Sequence, residues 1–253
     1  CIDLALGDGC DVVVVSNCDI SLETGALEAI VDAARDAPGL ISPLVLADDG
    51  KVSFAGAYRT SATGPAITHF LVGEHASRVP KEAYAVDALN GCFFAGAQET
   101  LRRIGPLPEE YFLYFEETEW FLKSATTAGI SLTILPQARI RHHKASHNKS
   151  RPTFYYVYYF CRNSIAYARR MGGDPGEAER RLRDQFISGW SQKLERQSDG
   201  FVGLFRAAAE AGLADGYNGL MGRVEIGDRI ESHLAASPEL RAAGTLHGHI
   251  DRI

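Results

Sequence analysis

The stretch Asp11-Val12-Val13-Val14-Val15-Ser16-Asn17-Cys18-Asp19 decides the fold class. Four consecutive β-branched residues are too few for a helix and suit a strand covered on both faces, the kind found in parallel sheets of α/β layer folds. The strand stops at a polar corner, Asn17-Cys18-Asp19. From about Thr24 to Ala37 the next segment sets Leu27, Ile30, Val31 and Ala34 at helical spacing, and Pro38-Gly39 ends it. Strand, corner and helix form one half of a crossover unit.

Outward from this unit, Leu40 to Leu46, the turn Asp48-Asp49-Gly50 and Val52 to Tyr58 read as a hairpin, and Arg59 to Pro80 as a long loop. Apolar residues return from Ala85 to Ala97 around Asn90-Gly91-Cys92. A short helix over Glu99 to Ile104 stops at Gly105-Pro106, and a second runs from about Glu116 to Ala128 with its cap at Gly129. Ile130 to Leu135 and Ala138 to His142 read as two strands parted by Pro136. Everything from Thr153 onward reads as helix, broken at Gly172 to Pro175, Ser198 to Gly200 and Gly222. The chain therefore divides into an α/β part, 1–150, and a helical extension, 151–253.

The bulk numbers exclude several classes. With 253 residues, 45% hydrophobic and 23% charged, the chain is long and apolar enough to bury a core, unlike a disordered or fibrous protein. A net charge of -6 and a pI near 5.8 have the wrong sign for coating nucleic acid. Five cysteines, at 1, 10, 18, 92 and 161, lack C-x-x-C spacing and argue against a disulfide framework or zinc ribbon, which fits a reducing cytoplasm. No apolar run approaches the length of a membrane span.

Three polar clusters carry candidate chemistry. Asn17-Cys18-Asp19 follows a strand end, where ligands bind in open α/β sheets, and Asp19 suits a divalent cation; a plain turn is the blander reading. Glu116-Glu117-Thr118-Glu119 follows Tyr111-Phe112-Leu113-Tyr114-Phe115. It is either an acidic first helical turn or a carboxylate raised in pKa by an aromatic wall to act as general base. Arg139-Ile140-Arg141-His142-His143, leading to Ser146 and His147, offers an imidazole ligand at a strand end or merely structural histidines.

In order and spacing these clusters resemble a known family. Val12 to Asp19, Asn90-Gly91-Cys92-Phe93-Phe94, Ile104-Gly105-Pro106 through Glu116-Glu117-Thr118-Glu119-Trp120, Ala128-Gly129 and Ile140-Arg141-His142-His143-Lys144-Ala145-Ser146 closely resemble family 2 glycosyltransferases of the rhamnosyltransferase-like group. The resemblance extends from Cys1 to about Arg170, including Tyr159-Phe160-Cys161-Arg162-Asn163, and weakly into Gly212 to Gly222.

The resemblance implies a GT-A-type, Rossmann-like mixed sheet flanked by helices and followed by a helical C-terminal extension. It also implies that the family's N-terminal nucleotide-binding segments are missing, so the chain reads as a fragment. Asp19 and His142 stand at the positions of metal ligands for Mg²⁺ or Mn²⁺, with Asn17 replacing the first acidic residue of that motif. Asn17, His143 and Arg162 fall at donor diphosphate positions, and His143 is also the fallback ligand. Glu117 takes the place of the catalytic carboxylate, and Glu116, Glu119, Trp120, Asn90 and Gly91 face the acceptor. Trp120, Tyr114 and Phe94 are candidate sugar platforms, although core packing is the preferred reading of each.

The implied reaction is inverting, metal-assisted transfer of a sugar from a nucleotide-diphosphate sugar to a hydroxyl of a glycan or lipid-linked acceptor, as in cell-wall or polysaccharide biosynthesis. The competing readings are a metal-dependent hydrolase and a catalytically inactive or accessory sugar-binding domain. Arg180-Arg181-Leu182-Arg183 beside Phe186, Ile187 and Trp190 suggests peripheral association with the inner face of a membrane, weighed against the preferred reading of a solvated helix face.

Overall fold

The computed structural model describes residues 1–36, 38–60, 66–143, 151–196 and 201–236. Its contacts divide the chain into two units, residues 1–108 with 117–145, and residues 109–116 with 146–253.

The first unit opens with helix α1 (Ile2–Gly7), strands β1 (Val12–Ser16) and β2 (Ile20–Leu22), helix α2 (Ala26–Asp36) and strand β3 (Gly39–Leu46). Strands β4 (Val52–Phe54), β5 (Ala57–Arg59), β6 (Ile67–His69), β7 (Tyr84–Val86) and β8 (Phe93–Ala97) follow, then helix α3 (Gln98–Ile104). Helix α4 (Glu116–Glu119) leads into a π-helical turn, Trp120–Ala125, and strand β9 (Ser131–His142) completes the sheet. Seven strands form one mixed sheet in the order β1-β8-β3-β9-β2, with β4 on β3 and β7 on β9, while β5 and β6 pair separately. Only β3 and β9 run parallel among the described pairs. The mixed α/β architecture is the one the sequence implies.

Several local expectations are corrected. The valine run of β1 is not covered on both faces: of its five residues only Val13 is fully buried, because β1 ends the strand path and pairs only with β8, antiparallel. The strand buried at every position is β3, central in the sheet with α2 packed on it. Position in the sheet decides this, since β-branching records only fitness for a pleated surface. The hairpin's second arm splits between β4 and β5, and the supposed loop after Arg59 contains β6 and a 3₁₀ turn, Ala76–Arg78. The two strands around Pro136 are one, β9; its register with β3 passes from Leu135↔Pro43 to Arg139↔Leu44, so the proline occupies a bulge where no ladder N–H is needed. The helix expected from Glu116 to Ala128 is α4 followed by the π turn.

One consequence of the topology matters for function. β8 is antiparallel to both β1 and β3, and β3 is parallel to β9, so the C-terminal ends of β1, β3 and β9 share one edge of the sheet. Asn17–Asp19, Asp48 and His142–His143 follow those ends, and Asn90–Cys92 precede β8 at the same edge.

The second unit contains α5 (Phe154–Arg170), α6 (Pro175–Arg181), a π turn (Leu182–Ile187), α7 (Ser188–Glu195), α8 (Phe201–Tyr217) and α9 (Ile226–Ala236). Helices α5 and α8 pack closely because Gly212 and Gly216 face the α5 backbone: a Cβ on Gly216 would lie 2.6 Å from the Arg162 carbonyl oxygen. The aromatic run Phe154 to Phe160 supplies much of this unit's core. Arg183 is forked to Glu210 at 2.6 and 2.9 Å and bonded to Glu179 at 2.8 Å, so its charge is paired within the unit. No described helix is long and apolar enough to cross a membrane.

Candidate active site

In the first unit, Asp19 and His142 meet at the shared sheet edge. The three-residue strand β2 pairs with the end of β9, Ile20 opposite His142, which sets the residue before Ile20 against the imidazole. His142 Nε2 lies 3.1 Å from Asp19 Oδ1, with the imidazole 12% and the carboxylate 45% exposed. The next residue is held differently. His143 donates its backbone N–H to the Asp19 carbonyl at 2.8 Å, and its ring nitrogens lie 2.7 Å from Asp48 Oδ1 and 2.9 Å from Ser21 Oγ. Both ring nitrogens of His143 are thus engaged by side chains.

The loop before β8 adjoins this corner. Asn17 donates its backbone N–H to the Cys92 carbonyl at 2.9 Å, and Asn90 Oδ1 accepts the Cys92 N–H at 2.8 Å, an Asx turn that shapes the loop. The Glu117 side chain lies on Gly91: a Cβ there would run into Oε2 and stand 2.9 Å from Cδ. A side chain at 91 would have to displace the Glu117 carboxylate, which occupies that space. Asp19, His142, Asn17, Asn90, Gly91 and Glu117 thus all belong to the first unit.

Residues 109–116 belong to the second unit, and their backbone is unusual. Phe112, Tyr114 and Phe115 have φ of 66°, 64° and 74°, left-handed conformations that cost a non-glycine residue roughly 1–3 kcal/mol each. Two buried side chains of α5 hold this segment. Asn163 Nδ2 donates to the carbonyls of Tyr111 (3.1 Å), Leu113 and Tyr114 (3.2 Å), and the Arg162 guanidinium donates to the carbonyls of Tyr111 (2.7 Å) and Gly222 (2.6 Å). Phe112 packs on Tyr159, Tyr114 on Tyr156, and Phe115 on Phe160 and Tyr167, which explains the aromatic run of α5. Burial pushes the Glu116 carboxyl up, and its Oε2 is buried with no hydrogen-bond partner among the described residues.

Burial places three of the sequence's candidates in the interior. Arg162 is 0% exposed and its guanidinium is spent on backbone carbonyls, Asn163 and the faces of Tyr158 and Tyr159, which leaves no donor-facing group. Trp120 is buried, packs on Phe94 and Phe121, and donates Nε1–H to the Gly105 carbonyl at 2.9 Å, so it is core and not a sugar platform. Glu119 is 3% exposed, with Lys123 Nζ 3.8 Å from Oε1. Lys144, Ala145, Ser146 and His147 lie outside the described residues. Ser21 and Asp48 were not marked by the sequence, where Asp48-Asp49-Gly50 signals only a turn.

No family model matches the chain. Two curated proteins from strains of Mycobacterium tuberculosis, each named N-acetylglucosaminyl-diphospho-decaprenol L-rhamnosyltransferase, are 27% identical to it in an alignment 152 residues long that covers 53% of this chain and 48% of theirs. The chain spans about half the length of the curated relatives it matches. A crystal structure of GalNAc-T7 with UDP, GalNAc and Mn²⁺ aligns with 74% of this chain and 43% of that one, at TM-score 0.44 and 13% identity. Over the stretch it shares with its curated relatives the chain is similar to rhamnosyltransferases, in agreement with the resemblance to family 2 glycosyltransferases carried by its motifs.

Proposed function

We propose that the chain carries the metal and base positions of an inverting glycosyltransferase, which moves a sugar from a nucleotide-diphosphate sugar to a hydroxyl of a glycan or lipid-linked acceptor. The observation that carries the reading is the pairing of Asp19 and His142 at the sheet edge where the Glu117 loop also lies. Their 3.1 Å separation fits two neighbouring ligands on one divalent ion, since two bonds of about 2.1 Å at right angles put donor atoms about 3 Å apart. The carboxylate suits Mn²⁺ or Mg²⁺ and the imidazole favours Mn²⁺ of the two, and among the described residues no third acidic, histidine or cysteine ligand joins them. That leaves room for diphosphate oxygens and water.

When bound, the ion neutralises charge growing on the departing diphosphate. Asp19 and His142 hold the donor end of the site. Asn17, exposed beside Asp19 and anchored by its backbone to Cys92, borders the diphosphate. Glu117 accepts the proton from the acceptor hydroxyl; that oxygen bonds to the anomeric carbon as the bond to the diphosphate oxygen breaks on the opposite face, and the configuration inverts. The Asn90-Gly91 loop lies along the acceptor side of Glu117.

The experiment is donor binding and transfer by the full chain with UDP-, dTDP- and GDP-sugars in Mn²⁺. Asp19→Ala is expected to lose both binding and transfer, and Glu117→Gln transfer alone. Glu117→Gln with normal transfer overturns the base assignment, and sugar release at the same rate without acceptor favours a hydrolase.

A further inference from the structure

His143 is the point where three separate segments of the first unit are joined. Its backbone N–H reaches the Asp19 carbonyl at 2.8 Å, Nδ1 faces Asp48 Oδ1 at 2.7 Å on the turn between β3 and β4, and Nε2 faces Ser21 Oγ at 2.9 Å on β2. Because an ionised carboxylate only accepts, Asp48 places the proton on Nδ1 and orients the ring. These contacts bracket the proposed metal pair, since Asp19 is two residues before Ser21 and His142 is the residue before His143.

The bracket has a physical purpose. β2 is three residues long and, among the described residues, pairs with β9 alone, so beyond the Asn17 N–H to the Cys92 carbonyl the corner Asn17–Asp19 is held mainly through His143. Without a further tie, this exposed corner would have to be ordered when an ion binds. We propose that Asp48, acting through His143, is a positioning residue that holds Asp19 and His142 at ligand spacing before an ion arrives; this rests on the metal-site reading above. Hydrogen-bond partners that stand behind metal ligands commonly carry about 10–100-fold in affinity. The Asp48 and His143 side chains are 63% and 48% exposed, and such exposed pairs contribute little to global stability. The same exposure leaves the Ser21 hydroxyl without an enclosed site in which to act as a nucleophile.

The test is titration of the full chain with Mn²⁺ alone, reading free ion by its electron paramagnetic resonance signal, beside thermal melts. Asp48→Ala is expected to weaken Mn²⁺ binding about tenfold with the melting temperature nearly unchanged. Asp48→Asn, which still offers Nδ1–H an acceptor but no charge, is expected to restore most of the affinity, as a direct ligand role would not allow. Asp19→Ala separates the two readings. If it abolishes binding while Asp48→Ala binds like the parent, the positioning role is overturned and the metal site stands. If Asp19→Ala and the parent bind alike, or the parent does not bind, the metal reading fails and this inference with it. A loss of affinity in both Asp48 variants that follows a fall in melting temperature makes the contact merely structural and also overturns the proposal.

Discussion

The Glu117 carboxylate occupies the space that a β-carbon on Gly91 would need. The loop that begins β8 is thereby a seat for the proposed base, and the missing side chain of residue 91 sets where that base stands.

Gly91→Ala is therefore expected to displace Glu117 and reduce transfer kcat about 100-fold, the scale of an ångström-sized misplacement of a reacting group. Donor KM and the thermal melt should stay near the parent's, because the metal pair is untouched. Steady-state kinetics with a donor found by the binding panel decide this, and a kcat near that of the parent would show that Glu117 tolerates the shift.

Glu116→Gln should change stability with pH in a defined direction. Burial raises the Glu116 pKa in the folded chain, so the stability linked to this group is complete below its unfolded value, about 4.3, and is lost as pH rises through the folded value. The uncharged variant should melt like the parent at acidic pH and above it at neutral and higher pH. Melts over a pH series measure the difference, and a constant offset at all pH values would refute the desolvation account.

Asn163→Ala removes the donor shared by the carbonyls of Tyr111, Leu113 and Tyr114 from a segment already in left-handed conformations. Leaving such acceptors unsatisfied is expected to cost about 2–3 kcal/mol, read as a lower urea midpoint. Asn163→Asp should be worse, since a carboxylate would face the same carbonyl oxygens.

Gly212→Ala tests the helix crossing in the second unit. The added methyl would press on the Tyr158 carbonyl and lie 3.1 Å from Cys161 Cβ and 3.2 Å from the Arg162 nitrogen. Backbone atoms cannot rotate away, so a loss of about 1–3 kcal/mol is expected, the usual range for overpacking. Chemical denaturation gives the value, and a neutral result would mean that the helices separate easily.

The sequence by itself pointed to the mixed α/β architecture, the helical run after Thr153, several helix limits and the corners that carry Asn17–Asp19 and His142–His143, but not to the place of residues 109–116 in the second unit. These follow from local periods, glycine and proline stops, and polar residues directly after apolar runs, all of which act over a few residues. It also carried the resemblance from which Glu117, Asp19 and His142 were named. Tertiary structure decided which strand is covered on both faces, because burial depends on position in the sheet: the valine run of β1 lies at the end of the path and the mixed run of β3 in its middle. It buried Arg162 and Trp120, since a side chain's partners are set by what packs over it. Only the fold could bring Asp48 to His143 across 95 residues, because strand pairing joins positions for which no local pattern exists.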